Sequence, residues 1–196
     1  MRAARLLAIT GRPGVGKTTL ALALADKAKE IGCKVGGFVT PEIRTAAGPR
    51  WGFKLKDLHD GDEHLLASVD STGVRVGKYR LDPDAEDFLL SVITKALSLA
   101  DLVVIDEVGP MELSLKGFRE AIRDLLIRRP LPMAITFHYR LRQSDPQFYY
   151  LITRDKVIEL TEHNRDLIKA RLDELARWLV DEACSDKGGQ GPALHT

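Results

Sequence analysis

The sequence predicts a three-layer α/β fold, a mostly parallel sheet with helices on both faces. Three observations carry that expectation. A short apolar run at 5–10 passes through a glycine-rich turn directly into an Ala- and Leu-rich segment. A second, buried-looking run, Asp101–Asp106, ends in an acid and is followed by another, Glu107. Strand-like and helix-like segments then alternate toward the C-terminus.

Taken in order, Arg5–Thr10 (Arg-Leu-Leu-Ala-Ile-Thr) reads as the first strand, and Thr18–Glu30 has the composition of a helix. Cys33–Arg44 reads as a strand leading into a loop. Trp51–Leu58, His64–Val69 and Val74–Leu81 are three further strand-like pieces, separated by turn signals at Ala47-Gly48-Pro49, Asp60-Gly61-Asp62 and Ser71-Thr72-Gly73. Short strands in such quick succession predict an antiparallel meander inserted into the α/β core. A helix is expected from Asp82 to about Leu99, with Asp82 as cap, Pro83 at the first position and acids in the first turn. Leu115–Arg129 places Leu115, Phe118, Ile122, Leu125 and Leu126 at helical spacing. Leu131–Phe137 and Lys156–Leu160 read as strands. From Asn164 to Ala183, Leu167, Ile168, Leu172, Leu175, Leu179 and Val180 form one apolar face of a long closing helix. The tail 185–196, with Gly188, Gly189, Gly191 and Pro192, is expected to be disordered, leaving 1–184 as a single domain.

Length and composition agree with this plan. The 196 residues suit one domain, and 44% hydrophobic content suffices for a substantial core. With 29 basic and 28 acidic residues there is no global basic field, so neither nucleic acid nor membrane is indicated, and no feature names a protein partner. No stretch approaches the roughly 20 apolar residues of a membrane span, and the apolar start is too short for a secretory segment. Cys33 and Cys184 form no metal or redox spacing, which reads as structural thiols in a reducing, cytoplasmic setting.

Residues 11–18, Gly-Arg-Pro-Gly-Val-Gly-Lys-Thr, complete the Walker A pattern G-x-x-x-x-G-K-[ST] between predicted strand and helix. Gly11, Gly14 and Gly16 permit a backbone whose N–H groups turn inward around phosphate oxygens, and the helix N-terminus adds partial positive charge. Lys17 would reach the β- and γ-phosphates and the Thr18 hydroxyl would ligate Mg²⁺. Leu102-Val-Val-Ile-Asp-Glu107 fits Walker B, a buried strand delivering Asp106 to the metal. Glu107, directly after it, suits orientation or deprotonation of a water, which favours hydrolysis over transfer. The substrate expected is ATP or another nucleoside triphosphate, and the candidate catalytic residues are Lys17 and Glu107.

The chain resembles the cancer-related nucleoside triphosphatase family of animals and thermophilic prokaryotes over about residues 5–175. The resemblance rests on Gly-Arg-Pro-Gly-Val-Gly-Lys-Thr-Thr-Leu (11–20), Gly-Gly-Phe-Val-Thr-Pro-Glu-Ile-Arg (36–44), Gly-Phe (52–53), Arg-Val-Gly-Lys-Tyr (75–79), Val-Ile-Asp-Glu-Val-Gly-Pro-Met-Glu-Leu (104–113) and Thr-Glu-His-Asn-Arg-Asp (161–166). It implies a RecA-like P-loop NTPase core with an added catalytic Glu, and Mg²⁺-dependent hydrolysis of triphosphates with broad base tolerance. The nucleotide-binding positions it marks are Gly11, Arg12, Pro13, Gly14, Val15, Gly16, Lys17, Thr18 and Thr19, then Val103, Val104, Ile105, Asp106, Glu107, Val108, Gly109 and Pro110. Two departures stand out. Pro110 replaces a frequent Lys, and Phe137–Pro146 is only loosely family-like, so no role for His138 or Arg140 is carried over.

Asn164 and Arg165 are candidates for contact with base or ribose, and Asn164 is equally a helix cap. No N-K-x-D guanine signature occurs. Arg44, Arg75, Lys78 and Arg165 are candidates for the cation that meets charge on the γ-phosphate, with surface ion pairing as the alternative. Trp51, Phe53 and Tyr79 are expected to pack in the core. Two rival functions remain at this stage. One is a kinase with Arg128, Arg129, Arg140 and Arg142 as a lid over its acceptor. The other is a nucleotide-dependent switch using residues 36–81 as its interaction surface.

Overall fold

The computed structural model describes residues 3–180 and 184. The expected tail at 185–196 lies outside them. Five parallel strands form the centre of the sheet: β1 (Leu6–Thr10), β2 (Val35–Val39), β8 (Leu102–Val108), β9 (Met133–Phe137) and β10 (Lys156–Glu159), in the order β10-β1-β9-β8-β2. The strand bearing Asp106 is therefore separated from the phosphate-loop strand by β9. The meander is β3 (Glu42–Arg44), β4 (Arg50–Asp57), β5 (Glu63–Ser68), β6 (Arg75–Val76) and β7 (Tyr79–Leu81). It extends the same sheet, because β4 pairs antiparallel with β2 at Phe38↔Asp57 and Val39↔Lys56.

Strand alternation divides the core between the two faces. Leu7, Ile9, Val35, Leu102, Val104 and Ala134 pack under α1 (Lys17–Glu30) and α7 (Leu172–Val180). Leu6, Phe38, Val103, Ile105, Ile135 and Phe137 pack under α2 (Ala85–Leu99), α3 (Lys116–Arg128) and α5 (Pro146–Ile152). Among the described residues no helix is long and apolar enough to cross a membrane.

Three expectations need correction, and one segment needs an addition. Helix α2 begins at Ala85 with Asp84 at its N-cap, not at Asp82. Asp82 closes a turn instead, its Oδ1 accepting from Asp84 N at 3.1 Å and lying 3.1 Å from His64 Nε2. The closing helix is broken at Arg171 into α6 (Arg165–Ala170) and α7; α6 buries none of its residues and Leu167 is exposed. Residues 141–152, to which the sequence assigned no element, hold α4 (Leu141–Ser144) and α5, the latter capped by Asp145, which accepts from Phe148 N at 3.1 Å. Finally, Cys33 and Cys184 are not free thiols. Packing of α1 against α7 brings their Cα atoms to 5.3 Å and they form a disulfide. At a sequence separation of 151 the pair left no spacing signal.

Candidate active site

All the chemistry-bearing motifs meet at the carboxyl ends of the parallel strands. β1 ends at Thr10, and the chain turns through 11–16 with φ of 149°, 81° and 105° at Gly11, Gly14 and Gly16 before α1 begins at Lys17. At Gly11 a side chain would also overlap the Leu160 carbonyl, because the end of β10 closes on the back of the loop. Lys17 is buried, and its Nζ donates to the Gly11 carbonyl at 3.1 Å, folded over the loop. Arg12, Pro13, Gly14 and Thr19 are exposed, while Val15 is buried in the α1 layer.

Asp106 is buried where β8 ends, and neighbouring strands hold it. Thr136 of β9 donates its hydroxyl to Oδ1 at 2.6 Å, and Thr40, just after β2, donates its backbone N–H to Oδ2 at 3.3 Å. The Thr40 hydroxyl also donates to the Asp106 carbonyl. Glu107 is half-buried beside it. Burial raises its pKa above the ordinary carboxylate range, opposed by the charge of Lys17 and reinforced by that of Asp106. Glu112 is buried on the following turn and accepts from Gly109 N at 3.1 Å. A cavity of about 200 Å³ joins these groups, with Thr18, Asp106, Glu107 and His138 on its polar side and Phe53 and Met111 among its apolar walls.

Several expected positions fall elsewhere. Val103, Val104, Ile105 and Val108 are fully buried in the sheet, so this segment meets the site through Asp106 and Glu107 near the end of β8 and Gly109 and Pro110 just after it. Arg44 pairs with Glu42 at 2.6 Å, Arg75 donates to the Gly77 carbonyl at 2.9 Å, Lys78 lies 5.2 Å from the Tyr79 ring and Arg165 is 3.9 Å from Asp166. None of these four lines the cavity. The arginines expected to form a lid are at opposite ends of the sheet. Arg129 precedes β9, and its carbonyl accepts from Ala4 N ahead of β1, whereas Arg140 and Arg142 follow β9. Asn164 does not cap α6 through its side chain: its Oδ1 accepts from Thr161 N at 2.8 Å and its amide donates to the Glu159 carbonyl at 2.9 Å. Phe53 packs edge-on to Tyr79 at 5.1 Å and also faces the cavity, so only part of its expected core role holds.

Sequence reasoning missed Thr40, Thr136, Glu112 and His138. Three of them come from the ends of β2 and β9, and the available signal was the position just inside or after a buried parallel strand.

Burial, reinforced by the charge of Glu107, pushes Glu112 up to about 8 from an ordinary 4.5. Between these values the folded chain keeps a proton that the unfolded chain has lost, so stability falls as pH rises through this window. Glu112→Gln has no such titration. The unfolding free energy from urea titrations between pH 5 and pH 8 should therefore move in the variant's favour by on the order of 1 kcal/mol per pH unit. Parallel wild-type and variant curves would contradict this.

A profile for the family described as NTPase matches residues 6–172. The nucleoside-triphosphatase THEP1 of Archaeoglobus fulgidus is 43% identical over 86% of this chain and 97% of its own length. THEP1 of Methanocaldococcus jannaschii is 46% identical over 66% of this chain and 76% of its own. Among solved structures, THEP1 from the hyperthermophile Aquifex aeolicus superposes with a TM-score of 0.72 at 29% identity, covering 87% of this chain and 98% of that one. A human cancer-related nucleoside triphosphatase superposes with 0.67 at 28%, covering 95% and 100%. With a phosphate loop, a β8 acid pair and a sheet of matching topology, this chain belongs to the NTPase family.

Proposed function

We propose that this protein hydrolyses nucleoside triphosphates to diphosphate and phosphate with Mg²⁺, in the cytoplasm where those substrates are. The observation that carries the reading is the convergence of Thr18, Asp106 and Glu107 on one cavity at the mouth of the phosphate loop. The loop amides and Lys17 bind the β- and γ-phosphates; Lys17 leaves the Gly11 carbonyl for a phosphate oxygen, a stronger, charge-assisted acceptor. Glu107 takes a proton from water as the water oxygen attacks the γ-phosphorus, and the bond to the bridging oxygen breaks toward the diphosphate.

The oxygen donors fit magnesium. A hydroxyl and a carboxylate are hard ligands, and each Asp106 oxygen keeps a lone pair after its bond to Thr136 or Thr40. Bound Mg²⁺ would neutralise charge on the β- and γ-oxygens. Each end of the Asn164 amide makes one bond to backbone, which fixes its orientation, and the sequence holds no N-K-x-D guanine signature, which supports turnover of ATP, GTP, CTP and UTP alike.

Removing the metal with EDTA should abolish phosphate release, and Mg²⁺ should restore it. Asp106→Asn should raise the Mg²⁺ concentration needed and cut turnover by about 10²-fold or more. Undiminished release in EDTA would refute the metal's part in this reading.

A further inference from the structure

His138 was set aside in the sequence, yet the fold delivers it between the two halves of the site. β9 lies between β1, which leads into the phosphate loop, and β8, which carries Asp106 and Glu107, and His138 is the first residue after β9. Its backbone N–H donates to the Val108 carbonyl at 3.0 Å, which anchors the residue against β8. The ring lines the same cavity as Thr18, Asp106 and Glu107.

The ring's protonation pattern follows from one hydrogen bond. Nδ1 accepts from the backbone N–H of Arg140 at 3.3 Å. A backbone N–H only donates, so Nδ1 carries a lone pair, and in neutral imidazole the proton then sits on Nε2. Burial, with the charges of Lys17 and Arg140, holds the ring below the ordinary histidine value and therefore neutral at neutral pH. The ring thus presents one N–H donor on the side away from Arg140. Among the described residues lining the cavity, His138 is the only one whose side chain carries a nitrogen donor; Asp106, Glu107 and Glu112 are acids. The four cations singled out in the sequence are engaged elsewhere.

We infer that His138 is a further catalytic residue, whose Nε2–H donates to a γ-phosphate oxygen and holds it as the bond to the bridging oxygen breaks. The inference rests on the reading of the phosphate loop and Glu107 given above. A fixed donor aimed at developing negative charge is typically worth about 10²–10³ in rate.

The test compares His138→Ala, His138→Phe and His138→Gln with Lys17→Ala, measuring phosphate release from MgATP and the affinities for MgADP and for a non-hydrolysable MgATP analogue. The Ala and Phe variants should lose about 10²-fold in kcat. They should bind the triphosphate analogue several-fold more weakly and keep MgADP affinity within twofold. Gln, whose side-chain amide reaches a similar distance, should recover part of kcat. If His138→Ala turns over within twofold of wild type while Lys17→Ala is inactive, the inference is wrong and the site reading stands. Equal weakening of diphosphate and triphosphate binding in His138→Ala, with no rescue by Gln, would assign the residue a structural role and also overturn it. Normal turnover and binding in Lys17→Ala would remove the site reading itself.

Discussion

Glu107→Gln is expected to lower steady-state phosphate release by about 10³-fold while leaving MgADP affinity within a factor of two. The change keeps the size and hydrogen-bonding reach of the side chain and removes only its capacity to take a proton. In the proposed reading the grip on the diphosphate does not pass through Glu107. The loop amides come from the β1–α1 turn and Lys17 and Thr18 from the first turn of α1, while Glu107 comes from β8 and lines the cavity with Thr18. The pH profile gives a second readout. Burial raises the Glu107 pKa, and the carboxylate is the active form if Glu107 is the proposed base, so wild-type release should rise with pH through a midpoint above the ordinary carboxylate value. The Gln variant should lose that limb. Full turnover in Glu107→Gln with nucleotide bound would assign the proton to another acceptor.

The second large effect concerns folding. Gly37, in β2, has φ of 100° and is paired with Val104 of β8, and a Cβ there would overlap the Val104 backbone from its nitrogen to its carbonyl. Both partners are central strands, so neither backbone can move aside without opening the sheet beneath Asp106. Gly37→Ala should therefore cost about 4 kcal/mol or more, with little soluble folded protein recovered. Gly48→Ala is the internal control. It shares a positive φ, 97°, but nothing lies within 4 Å of its added Cβ. Only the left-handed strain remains there, about 1 kcal/mol. Equal urea midpoints for the two variants would show that crowding at Val104 is not what fixes Gly37.

That pair of glycines also marks how far the sequence could be read. The phosphate loop, the acid pair and the alternation of strands and helices are local patterns, and the structure has the parallel core and the meander they implied. Gly36 and Gly37 were noticed only as part of a family-like block. Their physical reason, close approach of Ala96 on α2 and Val104 on β8, exists only once the layers are assembled. The partners of Asp106 were invisible for the same reason: Thr40 and Thr136 are remote in sequence and become neighbours through the β2–β8–β9 register. Helix α5 carried a legible signal, Asp145-Pro146, but at seven residues it was too short to show a period. The break at Arg171 had none, because the apolar spacing continues across it while α6 stays on the surface. His138 illustrates a different limit. Its segment departs from the family pattern, and only the strand order shows that it enters the site.

We propose that this chain hydrolyses triphosphates by itself, with water as the acceptor. The most direct measurement is phosphate release from ATP, GTP, CTP and UTP with Mg²⁺ and no added acceptor, for the wild type beside Lys17→Ala. Lys17 is buried, and its ammonium sits within hydrogen-bonding distance of the loop it is meant to leave. Steady turnover of several triphosphates is expected, abolished by the substitution. Tight nucleotide binding with no phosphate release until a hydroxyl acceptor or a protein partner is supplied would contradict it.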